Sequence, residues 1–184
     1  MQSMDISFIQ GQSVFFNGVE EADGTQICRW LNNPNVTYYL EMGRQPFRVA
    51  DFQKILRAAT RADGDVVFVI YEASTKNAIG FCGLHSIDWV SRRCQLNILI
   101  GEENYWSRGL GSESCELLLK YAFDRLNLNS VQLGVNANNH RAIKAYVKAG
   151  FVQEGTRRDF LFCNGQYCDM MVFSVLRKEY SADG

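Results

Sequence analysis

Residues 104–113 form a glycine-bearing loop between an apolar, strand-like run and an amphipathic helix. Gly109 and Gly111 have no β-carbon, so the backbone can turn tightly there and bring its N–H groups close to an anion. The helix that begins at the loop adds unpaired N–H groups and the positive end of its dipole. A strand, a glycine loop and a helix in this order predict a phosphate site, and a pyrophosphate is the natural ligand.

Two familiar phosphate motifs do not match this loop. A dinucleotide fold uses G-x-G-x-x-G, and Ser114 occupies the third glycine position here. A P-loop needs Lys followed by Ser or Thr after its last glycine, whereas this chain has Ser112 and Glu113. By itself the loop is equally compatible with an ordinary turn before a helix.

A second segment, residues 136–151, predicts a short helix that carries a tyrosine, Tyr146, and ends at a glycine. Asn138 or Asn139 can cap its N-terminus. Gly150 suits the left-handed position that follows a helix, with Phe151 making the accompanying apolar contact. Taken with the glycine loop, this segment indicates a nucleotide-type cofactor and a proton donor on neighbouring elements.

Together the two segments resemble the acetyl-CoA motif of the GNAT N-acetyltransferase superfamily. The resemblance lies in the loop Trp106-Ser107-Arg108-Gly109-Leu110-Gly111, the strand at 131–135, and Asn139, Ala142, Ile143, Tyr146 and Lys148-Ala149-Gly150-Phe151. It is clearest from about residue 66 to about residue 176. Within the superfamily, the chain most resembles the branch of spermidine acetyltransferases and ribosomal-protein N-terminal acetyltransferases. This closer resemblance lies in residues 30–34, 91–93 and 162–167.

The resemblance implies that acetyl-CoA is the cosubstrate and lies where the fourth and fifth strands of the family fold separate. A backbone N–H near Leu99 or Ile100 is then expected to bind the developing oxyanion. Trp106 stands where Gln or Arg is usual, which is expected to be tolerated because phosphate contacts come mainly from backbone N–H groups. The expected cofactor-binding residues are Leu99, Ile100, Trp106, Ser107, Arg108, Gly109, Leu110, Gly111, Ser112 and Asn139.

Catalysis by this route requires two proton transfers. The resemblance assigns to Tyr146 the proton that the leaving thiolate takes up, and a phenol with a pKa of about 10 keeps its proton at neutral pH. Many relatives use a Glu on a strand to deprotonate the amine, but Gln95 stands at that position here and cannot act as a base. Glu41 is the preferred catalytic base, with Glu102 and Glu103 as other candidates. An ordinary solvated carboxylate is the alternative for Glu41.

The composition argues against several partners and sites. With 19 basic and 20 acidic residues the net charge is −1, so neither nucleic acid nor an anionic membrane is expected as a partner. No apolar run approaches a membrane span. Six cysteines without a CxxC pair and two histidines make a poor metal set. Residues 1–5 lack the basic start of a signal peptide, and this cysteine usage suits a reducing cytoplasm, so a cytoplasmic location is expected.

We expect one GNAT-like N-acetyltransferase domain over residues 1–184, of the α/β (α+β) class. Its sheet is predicted to be mixed and mostly antiparallel, with about seven strands and about four helices on its faces. The predicted strands are residues 6–16, 66–71, 79–89, 94–100, 131–135, 152–162 and 167–176. The predicted helices lie near 27–31, at 49–61, from the glycine loop to 126, and at 140–149. Residues 35–47 are predicted to form a binding loop, and the edge of the last hairpin can pair across a homodimer.

The sequence therefore predicts an acetyl-CoA-dependent N-acetyltransferase that acetylates a primary amine of a small molecule directly. A polyamine would need a cluster of carboxylates, which Glu41, Glu102 and Glu103 can form. An amino sugar would need aromatic stacking groups, such as Tyr38 and Tyr39. A protein N-terminus is the alternative acceptor, and a CoA-binding module without turnover is the alternative from another class of function.

Overall fold

Eight strands form one sheet in the computed structural model, which describes residues 7–41, 45–59 and 64–180. Across the sheet the first five strands follow chain order, then come the sixth, the eighth and the seventh. All neighbours are antiparallel except the fifth and sixth strands, which run parallel. The strands are β1 (Ile9–Gln10), β2 (Val14–Gly18), β3 (Val66–Glu72), β4 (Ala78–Asp88), β5 (Arg93–Ile100), β6 (Ser130–Asn136), β7 (Val152–Cys163) and β8 (Gln166–Leu176).

Five α-helices in the described ranges cover both faces of this sheet. They are α1 (Gly24–Leu31), α2 (Pro34–Thr37), α3 (Val49–Ala59), α4 (Leu110–Lys120) and α5 (His140–Lys148). The apolar stripes of α4 and α5 pack on one face over the main core, which includes Leu118 and Phe123. α1 and α3 pack on the other face, over a smaller core around Trp30 and Phe52. None of these helices is long and apolar enough to cross a bilayer.

The predicted fold class, a mixed and mostly antiparallel sheet with helices on its faces, is confirmed, with one more strand and one more helix than predicted. The extra strand arises because the predicted first strand, residues 6–16, turns at Gly11, whose N–H donates to the carbonyl of Val14 at 2.9 Å. The extra helix is α2, in a segment predicted as loop. Its start is set by Pro34 in the first turn and by Asn33, whose side chain accepts the N–H of Asn35 at 2.9 Å.

Two further predictions concern where elements end. The helix predicted from the glycine loop to residue 126 is α4 followed by one π-helical turn, Tyr121–Arg125. The helix end predicted near residue 61 lies outside the described residues, as do residues 1–5 and residues 42–44 of the predicted binding loop.

Strands β5 and β6 lie side by side for only part of their length. Residues 93–95 of β5 pair with residues 130–132 of β6. Beyond that point β5 continues to pair with β4 as far as Ile100, and β6 continues to pair with β8 as far as Asn136. Because each strand follows its other neighbour, the sheet opens between them into a cleft. The strand separation expected from the sequence therefore lies between β5 and β6.

The last two strands form a long hairpin at the edge of the sheet. Asn164 and Gly165 make its turn, as an Asn-Gly pair predicts, with positive φ angles of 52° and 81°. β7 is the edge strand, and it leaves Phe160 and Phe162 about half exposed. Pairing of this edge across a homodimer stays a prediction.

Candidate active site

The cleft between β5 and β6 opens into a cavity of about 970 Å³. Its walls are the ends of these two strands, the loop before α4 with the first turn of that helix, one side of α5 along its length, and the segment 35–41. Leu161 of β7 and Met170 of β8 also line it. Both predicted catalytic residues, Tyr146 and Glu41, lie on the wall, together with the predicted cofactor-binding residues except Arg108. Arg108 borders a neighbouring hollow of about 460 Å³.

The N-terminus of α4 receives no cap from any described side chain. The first N–H groups of a helix have no acceptor within the helix, so these donors are available to a ligand. Gly109 precedes the helix with a φ of 83°, and Ser107 has a φ of 61°, so the loop turns sharply at both residues. A β-carbon at Gly109 would meet no protein atom within 4 Å. Donors, dipole and open space make this terminus suited to a phosphate group.

The cleft edge of β5 presents backbone groups at alternate residues. The N–H of Gly101 donates to the carbonyl of Ile79 at 2.8 Å, and in an antiparallel ladder every second residue points its peptide groups the same way. The peptide groups of Leu99 therefore point toward β4, and those of Ile98 and Ile100 point into the cleft. Of the two residues near which the oxyanion donor is predicted, Leu99 and Ile100, it is Ile100 that directs its N–H into the cleft.

α5, in contrast to α4, begins with a cap of its own. The side-chain oxygen of Asn139 accepts the N–H of Ala142 at 3.2 Å. The backbone carbonyl of Asn136 accepts the N–H of Asn139 at 2.8 Å, and the side chain of Asn136 accepts the N–H of Asn138 at 3.0 Å. Short polar side chains favour such caps and turns over helix interiors. The predicted cap is therefore confirmed, with Asn139 as the capping residue.

Tyr146 lies within α5 and is buried, with 8% of its surface exposed, yet it reaches the cavity wall. Its ring contacts the ring of Phe151, and their centroids are 5.8 Å apart. Burial raises the pKa of Tyr146 well above its usual value, and the neighbouring Cys115 adds to the shift. The phenol therefore keeps its proton throughout the physiological range, as a proton donor must.

Glu102, one of the alternative bases, belongs to a structural network. Its carboxylate accepts hydrogen bonds from Gln26 Nε2 at 2.6 Å and from Trp30 Nε1 at 2.9 Å. The guanidinium of Arg29 lies 3.9 Å away. These contacts tie α1 to the turn that follows β5, and Glu102 is not on the cavity wall. Glu102 is therefore a poor candidate for the base.

Glu41 and Glu103 are the carboxylates on the cavity wall among the residues that the structure describes. Glu41 is exposed and lies in the segment that follows α2. The tip of the β7–β8 hairpin meets this segment, because Asn164 Nδ2 donates to the carbonyl of Tyr38 at 2.8 Å. Gln95 lies where β5 still pairs with β6, away from the cavity wall. Glu41 as the base stays a prediction.

Arg141 and Ile98 are among the residues of the cavity wall that the sequence did not indicate as site residues. The guanidinium carbon of Arg141 lies 3.7 Å from the centre of the Trp106 ring system. The indole N–H of Trp106 in turn donates to the carbonyl of Ile100 at 2.7 Å. The sequence signal for Arg141 is its place in the first turn after the cap, at the cleft end of α5. The signal for Ile98 is the two-residue alternation along β5.

Comparisons with known proteins agree with this geometry. The spermidine N(1)-acetyltransferase of Vibrio cholerae serotype O1 is 29% identical over 164 residues, which cover 88% of this chain and 92% of the relative. The putative ribosomal N-acetyltransferase YdaF of Bacillus subtilis is 31% identical over 104 residues, 56% of each chain. A crystal structure of spermidine N-acetyltransferase from Vibrio cholerae, in complex with CoA and spermine, superposes with a TM-score of 0.83. It is 26% identical and the match covers 92% of this chain and 99% of that one.

A family match completes the comparison. The sequence model of the acetyltransferase (GNAT) domain matches residues 14–152 of this chain. That range runs from β2 to the start of β7 and includes the whole glycine loop, α4, β6 and α5. The chain belongs to the GNAT acetyltransferase family and is an N-acetyltransferase.

Proposed function

We propose that the protein transfers the acetyl group of acetyl-CoA directly to a primary amine of a small molecule, with a polyamine as the favoured acceptor. The observation that carries the proposal is that an uncapped helix N-terminus at Gly109 and a buried tyrosine, Tyr146, line one cavity. The first supplies anion-binding donors, and the second supplies a proton donor. The similar crystal structure that contains CoA and spermine supports the same assignment.

The residues of the cleft fit coenzyme A. The N–H groups of Leu110, Gly111 and Ser112 would hold the pyrophosphate, because they are the first donors of α4 and no described side chain caps them. The peptide groups of Ile98 would pair with an amide of the pantetheine arm, much as an added strand pairs with a sheet edge. The amide nitrogen of Asn139 would add a donor, since its side-chain oxygen serves the cap.

Three residues would then act on the reacting groups. When bound, acetyl-CoA supplies the thioester carbonyl. Glu41 would take a proton from the alkylammonium, whose pKa is about 10, directly or through water. The N–H of Ile100 would donate to the carbonyl oxygen as negative charge develops there. As the amine nitrogen bonds to the thioester carbon and the carbon–sulfur bond breaks, Tyr146 would donate its proton to the departing sulfur and regain one as the nitrogen loses its second proton. Burial raises the pKa of Tyr146, and it would also raise the pKa of a thiol beside it, so the proton can pass between them.

Two observations favour a polyamine acceptor. A spermidine acetyltransferase is similar over most of this chain. Glu41 and Glu103 both lie on the cavity wall, and two carboxylates can attract two ammonium groups of one polyamine. The similarity to a putative ribosomal N-acetyltransferase supports a protein N-terminus as the second acceptor class. The hydrogen bond between Asn164 and Tyr38 joins the hairpin tip to the segment beside the cavity. We take this connection as an argument for a small-molecule acceptor over a protein N-terminus.

The proposal is tested by measuring thiol release from acetyl-CoA with a panel of acceptors. The panel contains spermidine, amino sugars, aminoglycosides and N-terminal peptides, and a reaction without acceptor corrects for hydrolysis. We expect release with spermidine and little with the other classes. Release with peptides alone would replace the polyamine by a protein N-terminus. Silence across the panel, with CoA still bound by calorimetry, would contradict acetyl transfer to these amines.

We also propose that the protein works in the cytoplasm. Its cysteines are buried free thiols, and thiols stay reduced in that compartment. Burial raises the pKa of the Cys94 thiol to about 12, so this thiol is neutral and unreactive in the fold. The free cysteines are Cys28, Cys82, Cys94, Cys115, Cys163 and Cys168.

A further inference from the structure

Arg141 and Trp106 form a close stack at the cleft. The guanidinium carbon lies 3.7 Å from the ring centre, well inside the distance at which a cation is attracted to an aromatic face. Trp106 is held in place from its other end, because its indole N–H donates to the carbonyl of Ile100 at 2.7 Å. The ring is thus fixed to the end of β5 and offers a fixed face to Arg141.

The stack joins the two sides of the open sheet. Trp106 follows β5 in the chain, and Arg141 follows β6. The backbone pairing between these strands stops at residue 95 of β5 and residue 132 of β6. Both side chains line the cavity beyond that point. The Arg141–Trp106 stack is therefore a side-chain link across the part of the cleft where the sheet provides none.

Arg141 also lies near the acceptor side of the cavity. Partial removal from water lowers the pKa of its guanidinium, and the nearby Tyr39 and Glu103 act in the opposite direction. Glu103 in turn accepts hydrogen bonds from the side-chain amides of Asn33 and Asn35, at 3.1 and 3.3 Å. Arg141 thus contacts Trp106 of the cofactor loop and is attracted to Glu103, which binds the segment around α2.

We propose that Arg141 is a positioning residue. Its stack on Trp106 and its attraction to Glu103 hold the turn that carries both residues, and Glu103 in turn binds Asn33 and Asn35 of the acceptor segment 33–41. This inference rests on the proposed function, because the acceptor amine must enter between these two segments. Arg141 acts through its neighbours and is assigned no contact with the reacting atoms. Its removal should therefore affect the acceptor amine more than the cofactor.

The first test is Arg141→Ala, measured by steady-state kinetics with spermidine and by calorimetry with CoA. We expect the KM for spermidine to rise about tenfold, the size of a partly desolvated cation–aromatic contact. The Kd for CoA should stay within about twofold. Arg141→Lys keeps the charge and should recover part of the effect. The matched control is Arg157→Ala, which removes a guanidinium stacked at 5.0 Å on Phe160, away from the cavity, and should leave both constants unchanged.

Two outcomes would overturn the inference. A Kd for CoA that rises about tenfold with an unchanged KM for spermidine would make Arg141 a cofactor ligand. Equal and small effects of Arg141→Ala and Arg157→Ala would make the stack ordinary surface packing. A double-mutant cycle with Glu103→Gln sharpens the result, because coupled residues lose less together than the sum of the single losses.

A measurement without turnover separates this inference from the proposed function. In a Trp89→Phe background, the remaining indoles are Trp30, which is buried at 2% exposure, and Trp106. Acrylamide, a neutral quencher, should reach Trp106 more readily in Arg141→Ala than in the Trp89→Phe parent. Unchanged quenching would contradict the stack even if every acceptor proved inactive. Increased quenching with no active acceptor would leave the stack in place and reject the acetyl-transfer proposal instead.

Discussion

Two helices begin at the same cleft, and their N-termini differ in whether a side chain caps them. α4 begins after Gly109, and none of the described side chains caps it. α5 begins after Asn139, whose side chain accepts the N–H of Ala142. Both termini line one cavity and present the positive end of a helix dipole to it. The dipole alone therefore does not distinguish them.

This difference indicates that a side-chain cap decides which helix N-terminus can bind an anion. At α5 the side chain of Asn139 already occupies one of the unpaired donors, whereas at α4 the donors await a ligand. α5 contributes side chains instead, with Arg141 in its first turn and Tyr146 further along. In the proposed mechanism, α4 binds the cofactor and α5 positions and protonates.

Removing the reactive group of α5 should give the largest effect. Tyr146→Phe deletes the hydroxyl and keeps the ring that packs on Phe151. We expect kcat to fall by about a thousandfold, within the range for a general acid, while the Kd for CoA stays within about twofold. Thiol release at saturating substrates and calorimetry provide the two numbers. Turnover at the parental rate would remove Tyr146 from the mechanism.

Blocking the uncapped N-terminus of α4 should give the next largest effect, a loss of CoA affinity. Gly109→Val places a branched side chain where φ is 83° and no protein atom lies within 4 Å, so in the proposed binding mode it would meet the cofactor first. We expect CoA affinity to fall by about a hundredfold, because the backbone donors can no longer approach a phosphate. The matched control is Gly150→Val, which imposes similar strain at a φ of 93° after α5. A similar loss of affinity in both variants would assign the effect to folding.

The proposed base, Glu41, lies on neither α4 nor α5. Its variant tests whether the reaction also needs a residue outside these two helices. Glu41→Gln keeps the size of the side chain and removes its ability to take a proton. We expect kcat/KM for spermidine at pH 7.5 to fall by about thirtyfold, and the loss to shrink as the pH rises and the amine loses its proton in solution. Initial rates at several pH values measure this. A loss that is independent of pH would assign Glu41 to acceptor binding alone.

The two functions of Asn139 can be separated by a smaller change. Asn139→Asp keeps a good cap and removes the amide donor, whereas Asn139→Ala removes both. We expect Asn139→Ala to lower the free energy of unfolding by about 1 kcal/mol and Asn139→Asp to leave it unchanged. Both variants should weaken CoA binding by about fivefold. Thermal unfolding and calorimetry give the two values, and full CoA affinity in Asn139→Asp would leave this residue with the cap alone.

The smallest expected effect is a flat pH profile. A proton donor fails when the pH passes its pKa, and burial raises the pKa of Tyr146 well above its usual value of 10. With saturating substrates, kcat should therefore change by less than about twofold between pH 8 and about pH 10. Circular dichroism at each pH confirms that the fold is retained. A descending limb centred near the ordinary phenol pKa would contradict a buried Tyr146 as the donor.

Features made by neighbouring residues could be predicted from the sequence. The Asn164-Gly165 turn, the Asn139 cap and the glycine loop before α4 depend on local backbone preferences, and all three are present. The apolar stripe of α4 is likewise a local pattern, and it packs into the main core. Gly11 indicates a bulge or a turn inside the predicted first strand, and the fold has the turn, with the two halves paired as β1 and β2.

Features made by distant residues could not be predicted. The partners of Glu102 lie 76 and 72 residues away in the chain, so its carboxylate looks available in the sequence and is engaged in the fold. The Arg141–Trp106 stack joins the loop after β5 to α5, across the cleft where β5 and β6 no longer pair. Charge and spacing identify which residues can do chemistry, but tertiary contacts decide which of them face the cleft.

Backbone amide NMR with CoA, ADP and pantetheine as separate ligands tests the central claim most directly. If the open terminus of α4 binds the pyrophosphate, the amide signals of Leu110, Gly111 and Ser112 should shift with CoA and with ADP and hardly move with pantetheine. The signals of Ala142 and Ile143, at the capped start of α5, should move little with ADP. Large shifts at Ala142 and Ile143 with ADP, and none at the start of α4, would contradict the account.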